Sequence, residues 1–146
     1  WTMARINIEL PAHFPFSTRV HVYTSHINEA GHVDNAQLLT LVSEARQRFF
    51  KALGYTQTRV EDVGIVIADA AVQYLSEAFH GEELTIDVAT ADFNKYGCDL
   101  VYRIREAQAG RDVARVKNGI VFYDYTTRKI STVPAEFVRR STAAGA

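Results

Sequence analysis

The chemistry-bearing groups of this chain concentrate in one short stretch, Ser25-His-Ile-Asn-Glu-Ala-Gly-His-Val-Asp-Asn-Ala36. Its two imidazoles, His26 and His32, are side chains that can exchange a proton near neutral pH. Its amides, Asn28 and Asn35, can orient water or donate to a developing oxyanion. An amide is neutral and cannot serve as a general base. Gly31 lets the backbone approach a bound group closely. Together these residues point to polarising a carbonyl, holding an anion or activating water. Glu29 and Asp34 are the acids of the stretch. Cys98 is the sole thiol, and a nucleophilic cysteine needs an activating base that its sequence neighbours do not offer. His21, His26 and His32 do not make a convincing metal set, so neither a metal nor a cofactor is expected.

The stretch must be held by what flanks it. From Ala36 to Leu53, Leu38, Val42, Ala45, Phe49 and Leu53 recur at helical spacing. Asp34 is placed to cap this helix, with Gln37 as a capping-box partner, and Gly54 to stop it. The free N–H groups and positive dipole end of the helix then face the polar stretch. Before it, Phe16, Thr18, Val20 and Val22 predict a strand. After it, four runs alternate with period two: Val63 to Ala78, Leu84 to Val88, Leu100 to Arg105, and Val113 to Phe122. The turns between them fall at His80-Gly81, Asn94 to Gly97 and Ala109-Gly110. Strand, loop, helix, then strands joined by tight turns is an α+β order with an antiparallel sheet. The small side chains of Val66, Ala68, Ala70 and Val72 predict a surface on which the helix lies close. Tyr102, Arg103, Arg105 and Tyr123 are expected to give the other sheet face a mixed surface. One helix covers only one face of such a sheet, so edge pairing between subunits, or sheet stacking, is expected. Ser141 to Ala146 reads as a fraying tail.

Composition narrows the function classes. The chain has 146 residues, 47% of them hydrophobic, which is enough for one domain with a real core. Sixteen Lys and Arg against seventeen Asp and Glu give a net charge of −1, so no electrostatic case exists for a nucleic-acid partner. One cysteine excludes a disulfide framework. No apolar run approaches the roughly 20 residues of a membrane span. Trp1 to Pro15 lacks the basic start and apolar run of a signal peptide. A single domain over 1–146, without a membrane partner and located in the cytoplasm, is the resulting expectation.

Ala30-Gly-His-Val-Asp-Asn-Ala36, followed by Ser43-Glu-Ala-Arg-Gln-Arg-Phe-Phe50, resembles the loop and helix of the hotdog-fold thioesterases. The similarity is to the 4-hydroxybenzoyl-CoA thioesterase-like enzymes and the plant-type acyl-ACP thioesterases. Their pattern is approximately Asp-x-Asp-x-x-Gly-His-Val-Asn-Asn-Ala, then a Glu-x-Ala-Arg helix. His80-Gly-Glu-Glu-Leu84 and Tyr96-Gly97 match later family positions in the same order, and the likeness covers about residues 16–138. It implies a hotdog fold, a long central helix wrapped by a five-stranded antiparallel sheet. It also implies hydrolysis of an acyl-CoA or acyl-ACP thioester by a homodimer or homotetramer.

Carried over residue by residue, Asn28, His32 and Glu44 are the implied catalytic residues. His26, Gly31, Asn35, Tyr96 and Gly97 are the implied substrate-binding ones. The departure is at the catalytic carboxylate: the family's second Asp falls at Asn28, and its first at His26. Asn28 then orients substrate, or is a turn residue. His32 binds the carbonyl, acts as base, or packs the loop. His26 is a replacement base or an exposed loop histidine. Glu44 faces a site across a dimer interface, or pairs with Arg46 or Arg48. Asp34 and Asn35 also read as helix caps. Arg103, Arg105, Arg115, Lys117 and Arg128 are either cations for a CoA phosphate or a solvated face. The missing carboxylate keeps two other readings open: a non-catalytic acyl-thioester-binding protein, and a hydratase or dehydratase of the same fold.

Overall fold

The computed structural model describes residues 5–143. The long helix α1 (Asn35–Ala52) begins where Asp34 sets it. Asp34 sits in extended backbone, and its Oδ2 accepts from Ala36 N–H at 2.9 Å and Gln37 N–H at 3.4 Å. Gly54, with φ of +90°, supplies the left-handed residue that ends the helix. The buried stripe Leu38, Leu41, Val42, Ala45, Phe49 and Phe50 lies on the inner face of the sheet.

The strands are β1 (Phe16–His21), β2 (Gly64–Tyr74), β3 (Glu83–Ala91), β4 (Gly97–Glu106), β5 (Asp112–Asp124) and the two-residue β6 (Lys129–Ile130). They form one antiparallel sheet in the order β1-β3-β4-β5-β2, with β6 pairing β5. Among the described residues the sheet thus has six strands rather than five. The sixth arises where the chain turns after Asp124 and crosses back over the end of β5 before the last helix.

Period-two alternation places the core as the sequence requires. Leu84, Ile86, Leu100, Ile104, Val116 and Phe122 are all buried on the inner face. Tyr102 shares their parity and is fully buried, so it does not join Arg103 and Arg105 on the mixed face. Burial pushes its phenol up to about 12, which keeps it protonated. Asn118 and Gln57 accept hydrogen bonds from the Arg46 guanidinium in the seam between α1 and the sheet.

Two further expectations change. The small residues of β2 do not receive the helix, because β2 is an edge strand and Ala68 and Ala70 are exposed. A bulge between Ile67 and Asp69 also breaks the alternation there. The C-terminal stretch does not fray at Ser141. It continues helix α2 (Ala135–Ala143), with Ser141 buried. Residues 144–146 of that expected tail lie outside the described residues. Phe137 of α2 stacks on Phe50 at 5.8 Å and meets Phe122 edge-on at 5.1 Å, closing this end of the core.

Gly97 opens β4 where backbone passes against backbone. A Cβ there would lie 1.9 Å from the Ile120 carbonyl oxygen. Gly97→Ala is therefore expected to destabilise the protein by about 1–3 kcal/mol or more, read as a lowered urea midpoint at unchanged m-value.

Candidate active site

The stretch before α1 is held by a turn and by a bridge. Asn28 N–H donates to the His32 carbonyl and Gly31 N–H to the Asn28 carbonyl, both at 3.0 Å. Asn28 Oδ1 accepts from Ala30 N–H at 3.0 Å, so the side chain closes an Asx turn. Gly31, at φ of +86°, allows the reversal. The turn therefore uses the Gly31 N–H, whereas the His32 N–H is not spent within it. The stretch is then tied to the β2–β3 connection. Val33 N–H donates to the Ala78 carbonyl at 2.8 Å, and His32 bridges Phe79.

This bridge forms one wall of a cleft of about 500 Å³ at the N-terminus of α1. Val33, Leu38, Leu75, Ala78 and Val113 give it an apolar lining, and Asn28, His32, Asn35, Ser76 and Glu77 place polar groups along it. His32 Nε2 lies 3.5 Å from Glu77 Oε1, while Nδ1 lies 3.3 Å from the Val33 carbonyl. If Nδ1 carries the proton and donates to that carbonyl, Nε2 is the basic nitrogen facing Glu77. Glu77 is the one carboxylate among the lining residues, and it is 60% exposed. Tyr74 donates its hydroxyl to the Asn35 carbonyl at 2.8 Å, and burial followed by the Asp34 charge raises its pKa.

Asn28, Gly31, His32 and Asn35 thus share one turn-and-helix start, and Asn28, His32 and Asn35 line the same cleft. The remaining candidates lie elsewhere in the chain. His26 accepts the Tyr23 N–H at Nδ1 (3.0 Å) and lines a second cleft, between β1 and α1. Glu44 lines that cleft too, half-exposed and paired with Arg48 at 2.7 Å. Of its two foreseen arginine partners, Arg48 is the one that pairs, since the guanidinium of Arg46 is engaged with Asn118, Gln57 and Ser43. Tyr96 and Gly97 lie at the opposite end of the sheet. Tyr74 pairs with Ala114 and Gly97 with Val121, seven residues further along β5. At about 3.3 Å per residue, that is about 23 Å away. Cys98 is buried and its thiol is pushed up to about 12 by desolvation, so it is no nucleophile. Among the described residues no cluster of His, Cys, Asp and Glu is arranged to hold a metal.

Glu77 is the acid of this cleft that sequence reasoning missed. It lies 45 positions from His32 in a segment read as the end of a strand. Only the pairing of that segment with the loop before α1 brings the two together.

A helix laid across an antiparallel sheet, with a part-apolar cleft at its capped N-terminus, defines the hotdog class. Solved structures share the arrangement. A 1,4-dihydroxy-2-naphthoyl-CoA thioesterase from Synechocystis superposes with a TM-score of 0.79 at 19% identity, over 88% of this chain and 96% of that one. A probable thioesterase from Escherichia coli gives 0.76 at 22% identity, over 88% and 96%. A thioesterase from Thermus thermophilus, solved with coenzyme A and zinc, gives 0.79 at 22% identity, over 92% and 97%. A family model of the thioesterase-like superfamily matches residues 22–140, and the chain belongs to that superfamily. No curated protein matches the sequence.

The Asx turn makes a separable prediction. Asn28→Ala removes the acceptor of Ala30 N–H and should cost about 1 kcal/mol, with faster amide exchange at Ala30 and Gly31. Asn28→Asp keeps an acceptor there and should leave both amides protected.

Proposed function

We propose that the protein hydrolyses an acyl-CoA thioester to a carboxylic acid and free CoA, with His32 and Glu77 supplying the base function absent at Asn28. The observation that carries this is the His32–Glu77 contact inside the cleft at the helix N-terminus. In this reading the acyl group lies against Leu38, Leu75 and Val113. Water gives a proton to His32 Nε2 as its oxygen attacks the carbonyl carbon. Glu77 stabilises the imidazolium that forms, and the Val33 carbonyl fixes the ring through Nδ1. The His32 backbone N–H and the start of α1 face the developing oxyanion. When the tetrahedral intermediate collapses, the C–S bond breaks and the imidazolium returns its proton to the leaving sulfur. Asn28 acts by shaping the turn that presents His32.

The same reading makes the protein a cytoplasmic homo-oligomer. Among the described residues no helix is long and apolar enough to cross a membrane. The free edge of β2 exposes Ile67, Ala68 and Ala70, the kind of apolar edge that a second copy covers. Such pairing is also the route by which Glu44, His26, Tyr96 or Gly97 of one copy would approach the cleft of another. A dimer or a tetramer satisfies it. The carrier is read as CoA because the acid lining the cleft, Glu77, would repel an acidic carrier protein, and no basic side chain but His32 is among the described lining residues. Glu77 and Glu82 lie along the β2–β3 connection.

Thiol release over short, long and aromatic acyl-CoAs tests the proposal directly. Turnover of at least one substrate is expected. His32→Ala and Glu77→Gln should each lower kcat by about 10²–10⁴, and the double variant little further, since the two act as a unit. Absence of turnover across the panel, or full activity in both single variants, would refute the reading. A near-inactive parent that gains strongly from Asn28→Asp would instead mark a non-catalytic thioester-binding protein.

A further inference from the structure

The motif His80-Gly-Glu-Glu-Leu84 has no part in the hydrolytic reading, yet its first acid lies behind the wall of the cleft. Glu82 Oε1 accepts the Phe79 N–H at 2.8 Å, and the Phe79 carbonyl accepts the Glu82 N–H at 3.1 Å. The same carboxylate meets Arg111, whose Nη2 lies 3.0 Å from Oε1 and 3.2 Å from Oε2. Arg111 Nη2 also donates to the Glu77 carbonyl at 2.9 Å. A guanidinium Nη carries two hydrogens. With one on the Glu77 carbonyl, the other is shared between the two oxygens of Glu82.

These contacts close a ring around Ala78. Glu77 is held by its carbonyl and Phe79 by its N–H, while the Ala78 carbonyl between them accepts the Val33 N–H at 2.8 Å. That last bond ties the cleft wall to the loop before α1. The residues just ahead are fixed to the start of β5. Leu75 and Ser76 both donate N–H groups to the Val113 carbonyl, and Ser76 Oγ donates to the Asp112 carbonyl at 2.5 Å. Residues 111–113 therefore hold the exit of β2, and Val33 and His32 meet what they hold.

Arg111 is itself anchored. Its carbonyl accepts the Glu106 N–H at 2.8 Å across the turn between β4 and β5. The Glu106 carboxylate closes that turn by accepting the Gln108 and Ala109 N–H groups at 2.8 and 2.7 Å. The Glu82–Arg111 pair is 23% and 38% exposed, so solvent and salt screen it less than a fully exposed pair. Neither side chain lines the cleft. Arg111 grips the main chain of Glu77 and has its charge matched by Glu82, which leaves the Glu77 carboxylate to face His32 at 3.5 Å.

We propose that Arg111 and Glu82 are positioning residues, which set the Glu77 carboxylate against His32 by fixing main chain 77–79. Their consequence for turnover rests on the proposed hydrolase reading.

Amide exchange and imidazole resonances of the full chain test this with no substrate present. Arg111→Gln should speed exchange at Val33 and Phe79 by about tenfold while the amides of β4 stay protected. The ¹⁵N resonance of His32 Nε2 should move towards its position in Glu77→Gln. If the acyl-CoA panel shows turnover, Arg111→Gln should lower kcat by about tenfold or more with KM little changed. It should cost nothing further in a Glu77→Gln background, whereas a merely structural role predicts the same loss in both. Should Arg111→Gln not fold, Glu82→Gln carries the same test, since it keeps an acceptor for the Phe79 N–H and loosens the hold on Arg111. Unchanged exchange at Val33 and Phe79, or an equal loss of kcat with and without the Glu77 carboxylate, would overturn the proposal. If the panel fails, the hydrolase reading falls by itself, and the exchange rates and the His32 resonance still decide the positioning role.

Discussion

The site depends on one short bridge, in which Val33 N–H donates to the Ala78 carbonyl and His32 pairs with Phe79. This bridge joins the loop that enters α1 to the loop that leaves β2. Without it, His32 would belong to a surface turn and Glu77 to a separate connection. With it, an imidazole and a carboxylate stand 3.5 Å apart over a part-apolar cleft. Everything on either side serves to keep the bridge in register. Asp34 caps α1 immediately after it, and the Asp34 N–H is tied back to the His26 carbonyl. Tyr74, at the end of β2, reaches over to the carbonyl of Asn35.

The core explains why those anchors can be rigid. Alternation along β3, β4 and β5 makes one face continuous and dry, and the α1 stripe from Leu38 to Phe50 seals it. Phe137 closes the far end by packing on Phe50 and Phe122. The polar groups admitted to this interior are few. Asn118 and Gln57 serve the Arg46 guanidinium, so a charge in the seam is met by several acceptors at once. The outer face follows a different rule, with guanidinium groups in surplus around Asp87.

The amide at Asn28 has a local role. Asn28 spends its side-chain oxygen on the Ala30 N–H and is thereby a piece of turn architecture. The acid in the cleft comes from the opposite wall instead. Glu44, the other acid the helix offers, points to a different cleft and is held by Arg48. Within one copy of the chain, the carboxylate within reach of His32 is therefore Glu77.

The sequence by itself determined what depends on near neighbours. The α1 helix and its Asp34 cap, the strand alternation and the turn at Gly31 follow from local spacing, and the structure contains each of them. So does the density of polar groups at the helix start, because helix termini leave backbone donors free wherever they occur. Tertiary structure decided which distant residue faces which. Glu77 opposite His32, Tyr96 and Gly97 at the far end of the sheet, and Arg103 and Arg105 on Asp87 all follow from strand order and register. Period two tells which face of a strand is dry, not which strand lies beside it. The same limit placed Ala68 and Ala70 on an open edge instead of beneath the helix, since an edge is defined only once the neighbours have been chosen.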